Sequence, residues 1–156
     1  MRWTILVLFL LLVAFLSWGA ISLTEKQVPR NILGGGELHS PSDWLKEQQI
    51  QVYKNRVVLQ VEDASWARFT DTNSMDPFID AEANAIEILP DDADLINVGD
   101  VISYTSAYGV IIHRVVEKGV DEEGIYFIVK GDNNASEDPL KVRFEDIKGV
   151  VVAVVY

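Results

Sequence analysis

The sequence predicts a mainly β domain carried on one N-terminal transmembrane helix. Three observations lead there. From Trp3 to Leu23 there are 21 consecutive residues without a charge. Beyond residue 43, short β-branched and aromatic runs recur about every 10–20 residues, separated by turns rich in Gly, Asp and Asn. No stretch in that region keeps a 3.6-residue apolar period, so helices do not organise it.

Composition narrows the function. A chain of 156 residues is one folded domain at most. Its 13 basic and 24 acidic residues give a net charge of -11. That argues against nucleic acid as a partner, since phosphates call for a cationic face. There is no Cys, which excludes disulfides, thiolate zinc sites and a Cys nucleophile. His39 and His113 are the two histidines, too few for a multi-histidine metal site. No cofactor is expected.

Residues 1–23 read as a transmembrane anchor, because a helix of about 20 residues spans the roughly 30 Å hydrocarbon core. Trp3 and Trp18 stand near its two ends, where amphipathic rings favour the headgroup region. The alternative is a cleaved signal peptide with Ser17 and Gly19 as small residues before the cut. The apolar run continues through Ala20, Ile21 and Leu23, which favours the anchor. Charge does not orient it: Arg2 and the terminal amine lie on one side, Lys26 and Arg30 on the other.

Residues 24–43, with Pro29, Gly34-Gly35-Gly36 and Pro41, read as a tether in which His39 is a solvated side chain. Residues 44–156 form the β-rich domain. Ser42 to Glu47 suggests a cap and a short helical turn. Ile50 to Tyr53 and Val57 to Val61 flank a turn at Lys54-Asn55-Arg56 and read as a hairpin. Further strands are expected at Trp66 to Thr70, Ala83 to Leu89, Val101 to Tyr104, Gly109 to Val116 and Ile125 to Val129. The Val-rich Val150 to Tyr156 is expected at the centre of the sheet.

Three places carry polar residues that chemistry can use. Thr70-Asp71-Thr72-Asn73-Ser74-Met75-Asp76-Pro77 follows a strand and presents hydroxyls, although these residues also make plain turns. His113 lies inside Gly109 to Val116, on a face with Ile111 and Val115. It is either a core histidine bonded to a carbonyl or a general base near neutral pH. Lys130 to Pro139 is a polar loop. Its Asp132, Asn134 and Ser136 superficially match a calcium loop, but Glu137 and Arg143 occupy the positions that need Gly and Glu. Calcium is therefore set aside, and the loop is a hairpin connection or a source of carboxylate. Taken together, a serine needs a base within reach, and the base needs an orienting carboxylate. The chain order Ser74, His113, Asp138, without a G-x-S-x-G elbow, differs from the familiar serine hydrolases.

Ser74-Met75-Asp76-Pro77, Gly99-Asp100-Val101-Ile102, His113-Arg114-Val115 and Gly131-Asp132-Asn133-Asn134 together resemble the four boxes of type I signal peptidases. They come in the family's order and approximate spacing, over about residues 66–155. The bacterial form has a lysine before Arg-Val. The chain has His113 there and so is similar to the archaeal and endoplasmic-reticulum branch. The resemblance implies a small signal-peptidase-like β domain, with Ser74 as nucleophile, His113 as base and Asp138 as orienter. It also implies a supporting role for Asp132 and an oxyanion hole made by the Ser74 N–H and the Thr72 hydroxyl. Asn73 stands where the family usually has glycine.

The expected activity is membrane-bound serine endopeptidase cleavage of signal peptides from exported precursors. The expected partners are those precursors, the lipid bilayer and accessory subunits, and the catalytic domain is expected on the extracytoplasmic or lumenal side. The alternatives are a non-catalytic membrane-tethered β module that binds peptides or a partner subunit, and a related peptidase with another substrate.

Overall fold

The structure, a computed structural model, describes residues 38–156. The anchor expected at 1–23 and most of the tether expected at 24–43 lie outside the described residues. Among those described, no helix is long and apolar enough to cross a membrane.

The domain is mainly β, in two antiparallel sheets. The smaller sheet is the hairpin of β1 (Ile50–Tyr53) and β2 (Arg56–Leu59), in register from Ile50 opposite Leu59 to Tyr53 opposite Arg56. The larger has six strands: β3 (Ser65–Arg68), β4 (Asn84–Ile88), β5 (Val101–Ser106), β6 (Gly109–Asp121), β7 (Gly124–Lys130) and β8 (Ile147–Val155). Their spatial order is β3-β4-β8-β5-β6-β7. The last strand is thus inserted between β4 and β5, where Val150 and Val151 are buried.

The six-stranded sheet buries both of its faces. Successive residues in a strand point to opposite faces, and the pairs Val101/Ile102 and Val150/Val151 divide in that way. Ile102, Tyr104, Val115, Phe127, Val129 and Val150 form one core. Val101, Val151, Ala85, Met75 and Ile79 form the other. Two-sided burial explains why these strands read as continuous apolar runs.

Two local expectations change. The helical turn expected from a Ser42 cap is a 3-10 turn further on, at Glu47–Gln49. Ser42 is used elsewhere: its backbone N–H and its hydroxyl donate to Asp100 at 2.6 and 3.2 Å. Asp100 is fully buried and also accepts from Trp44 Nε1 at 3.1 Å and the Asn97 N–H at 2.8 Å. A buried carboxylate needs several donors, and this one recruits them from Ser42, Trp44 and Asn97. The second change is β6, which runs on to Asp121 beyond the expected end at Val116.

Candidate active site

The Ser74 segment is set by what lies beneath it. Met75 and Ile79 are buried at 2 % and 4 % exposure and wedge the turn into the second core, which leaves Ser74 half-buried at its rim. Asn73 has φ +55°, the left-handed region that asparagine tolerates better than most residues. It therefore supplies the backbone bend for which glycine is the usual choice. Thr72 Oγ1 lies 3.3 Å from Ser74 Oγ, within hydrogen-bond range.

His113 is buried in β6, opposite Ile102 of β5. Its Nδ1 lies 2.7 Å from Asp138 Oδ2. An ionised carboxylate can only accept, so the pairing assigns the proton to Nδ1 and leaves the Nε2 lone pair free. Asp138 is held by its own N–H, which donates to Val129 O at 2.8 Å. The Tyr104 hydroxyl donates to the same Asp138 oxygen. Burial, and after it the Asp138 bond, push the Tyr104 hydroxyl well above the usual phenol range. It therefore stays protonated and remains a donor.

Thr72, Ser74 and His113 line one cavity of about 400 Å³, together with Ala67 and Arg68 of β3 and Val110 to Ile112 of β6. No hydrogen bond joins Ser74 to His113 among the described residues. Such contacts are often long in a free enzyme and tighten on binding.

Asp132 is placed differently. It forms a bidentate pair with Arg114: Nε donates to Oδ1 at 2.8 Å and Nη2 to Oδ2 at 2.6 Å. Both side chains are under 10 % exposed. Arg114 Nη1 also donates to the carbonyls of Gly99 and His39, at 2.8 and 3.2 Å. Asp132 thus fixes the loop and the strand beside His113 without touching the imidazole. The following residue joins the loop to the serine turn. The Asn133 N–H donates to Ser74 O at 2.9 Å, and Asn133 Nδ2 to Asn73 O at 2.9 Å. Gly131 is required for this approach, because a Cβ there would lie 2.5 Å from Ser74 O.

The sequence argument assigned no role to Tyr104, Asn133 or Asp100. Asp100 and Asn133 stand inside the quoted boxes, which was the available signal. Tyr104 had none, since an aromatic in a strand ordinarily packs. Among the described residues, no group of three or more His, Asp or Glu converges as metal ligands do.

Comparison with known proteins adds little to this geometry. No family model matches the chain, and no solved structure matches it. An uncharacterized protein of Methanocaldococcus jannaschii is 46 % identical over 44 residues. The match covers 28 % of this chain and 22 % of that protein.

Proposed function

We propose that the chain is a membrane-anchored serine endopeptidase of the signal peptidase type, in its Ser-His-Asp form, which removes signal peptides from exported precursors. The observation that carries this is the His113–Asp138 pair, 2.7 Å apart, beside a cavity that Ser74 and Thr72 also line. Asp138 holds Nδ1–H, which leaves Nε2 to act as the base in the cavity that His113 lines. In the proposed step the Ser74 hydroxyl leaves Thr72 for Nε2, which takes the proton as Oγ attacks the scissile carbonyl. The Ser74 N–H and the Thr72 hydroxyl then face the oxyanion. Removing one such donor typically raises the barrier by about 3 kcal/mol. The imidazolium gives its proton to the leaving amine, and water releases the acyl group by the reverse path.

The sheet edges suit an extended substrate. β3 is an edge strand. The first residues of β6 pair only with β5, since the β6–β7 pairing starts at Arg114. Both segments line the cavity, so a peptide strand laid between them has backbone partners. The acidic charge fits protein substrates rather than nucleic acid. The partners proposed are precursors, the bilayer and accessory subunits. The chain is proposed as single-pass, with the β domain extracytoplasmic or lumenal.

The Ser74–Thr72 contact favours a second reading, a peptide-binding module without catalysis. One assay separates the two: incubation of the full-length chain in liposomes with a signal-peptide-bearing precursor, with Ser74→Ala in parallel. A single cut after a small residue, absent with Ser74→Ala, is expected. A folded parent protein that binds the precursor without cutting it would favour the module.

Tyr104→Phe gives a finer check on the relay. It removes one of the donors that orient Asp138, so the carboxylate holds the imidazole less firmly, and it leaves more of the carboxylate's charge to the imidazolium. About a tenfold fall in kcat is expected with little change in KM. The acid limb of the kcat/KM profile should also move to higher pH. An unmoved pH profile would reduce Tyr104 to packing.

A further inference from the structure

Glu87 is a buried carboxylate of the six-stranded sheet that lies outside the His113–Asp138 and Arg114–Asp132 pairs. It is the fourth residue of β4, 5 % exposed, on the face that carries Ala85. It lines the same cavity as Ser74 and His113. Its Oε2 accepts from Ser103 Oγ at 3.0 Å. Its Oε1 is buried with no hydrogen-bond partner. The place is built for it. Gly149 of β8 lies opposite Ser103 and between the strands of the two residues. A Cβ at 149 would come 2.8 Å from Glu87 Cβ and 3.1 Å from Oε2. Only a bare backbone there lets the carboxyl cross β8 to reach β5. Burial pushes the carboxyl above its usual range, with the Ser103 bond opposing. The proposed proton relay makes no use of this group, and an unpaired buried oxygen is unfavourable in the resting domain.

Resting on the peptidase reading above, we infer that Glu87 is a specificity-determining residue of the cleft and that its subsite takes a hydroxyl-bearing substrate side chain, Ser or Thr. A hydroxyl both donates and accepts, so it satisfies Glu87 whether the carboxyl is ionised or protonated. An aliphatic side chain of the same size leaves the oxygen unpaired. A basic side chain meets Lys148, which lines the same cavity, and an acidic one meets Glu87 itself. The discrimination is the one hydrogen bond that the hydroxyl adds to an oxygen left unpaired in the free domain.

The test uses full-length chain in liposomes and precursor peptides that differ at one position before the cut, Ser against Ala and Thr against Val, scanned position by position. One subsite is expected to favour the hydroxyl by about tenfold in kcat/KM. Glu87→Leu should bring that ratio to about one, whereas Glu87→Gln, which still donates and accepts, should keep part of it. Equal rates at every subsite, or a preference that survives Glu87→Leu, would overturn the assignment. The same peptide pairs are then titrated against Ser74→Ala. If the parent cuts nothing, the peptidase reading falls, and binding still decides the subsite. A hydroxyl preference lost in Ser74→Ala/Glu87→Leu keeps it; equal affinities remove it.

Discussion

Ser74→Ala and His113→Ala are each expected to lower kcat on a signal-peptide substrate by about 10⁶-fold, and the double variant by no more than either alone. The equality follows from how the groups are used. The hydroxyl of Ser74 is a weak nucleophile without a base, and Nε2 of His113 has nothing to deprotonate without the hydroxyl. Asp138 acts one step behind them, through a 2.7 Å bond to Nδ1. Asp138→Asn should therefore cost less, about 10⁴-fold. Ser74→Ala keeps the packing of Met75 and Ile79 beneath the serine turn, so its melting should resemble the parent's, whereas His113→Ala removes a buried side chain and should melt lower while still folding. Single-turnover cleavage rates check the series. Losses that multiply in the double variant would mean that Ser74 and His113 act independently, contrary to a relay.

Asp132→Ala is expected to destabilise the domain by about 3–5 kcal/mol, because it strands the buried Arg114 guanidinium. On a domain of this size that lowers Tm by about 10 °C or more. The side chains are 8 % and 6 % exposed, so water cannot replace the lost partner as it does at a surface pair. Arg114→Met with Asp132→Leu removes both charges and should be less destabilised than Asp132→Ala. That ordering is the signature of an uncompensated charge rather than of lost contacts. Thermal unfolding of the three proteins measures it. A double variant worse than Asp132→Ala would point instead to the Arg114 bonds to Gly99 O and His39 O as the main contribution.

Much of the β architecture was legible because strand burial writes itself into residue type. Val150 and Val151 serve opposite cores, and a run of valine announces that. The hairpin at 50–59 was legible from alternation and its turn. Ser42 was misread because the residue types that cap helices are also those that donate to a buried carboxylate. Its partner Asp100 lies 58 positions away, beyond any local pattern. Ser74 and His113 could be named from their boxes and Asp138 from its place six residues past Asp132, but the His113–Asp138 bond and the shared cavity depend on tertiary placement. Glu87 was invisible for a related reason. In Asn84-Ala85-Ile86-Glu87-Ile88 it reads as the solvent-facing member of an alternating strand, and only the second buried face turns it inward.

The bonds from Asn133 to Ser74 O and Asn73 O have a mechanical consequence. The proposed nucleophile and the proposed orienter lie 64 positions apart in sequence, yet one side chain and one amide clamp their two loops together. His113 belongs to the sheet, a stiffer body. Any local opening that frees the loop of Asp138 therefore also releases the backbone that holds Ser74. The site is then either assembled or dismantled as a unit, and a half-armed state, with a poised hydroxyl and an unoriented base, is disfavoured by construction.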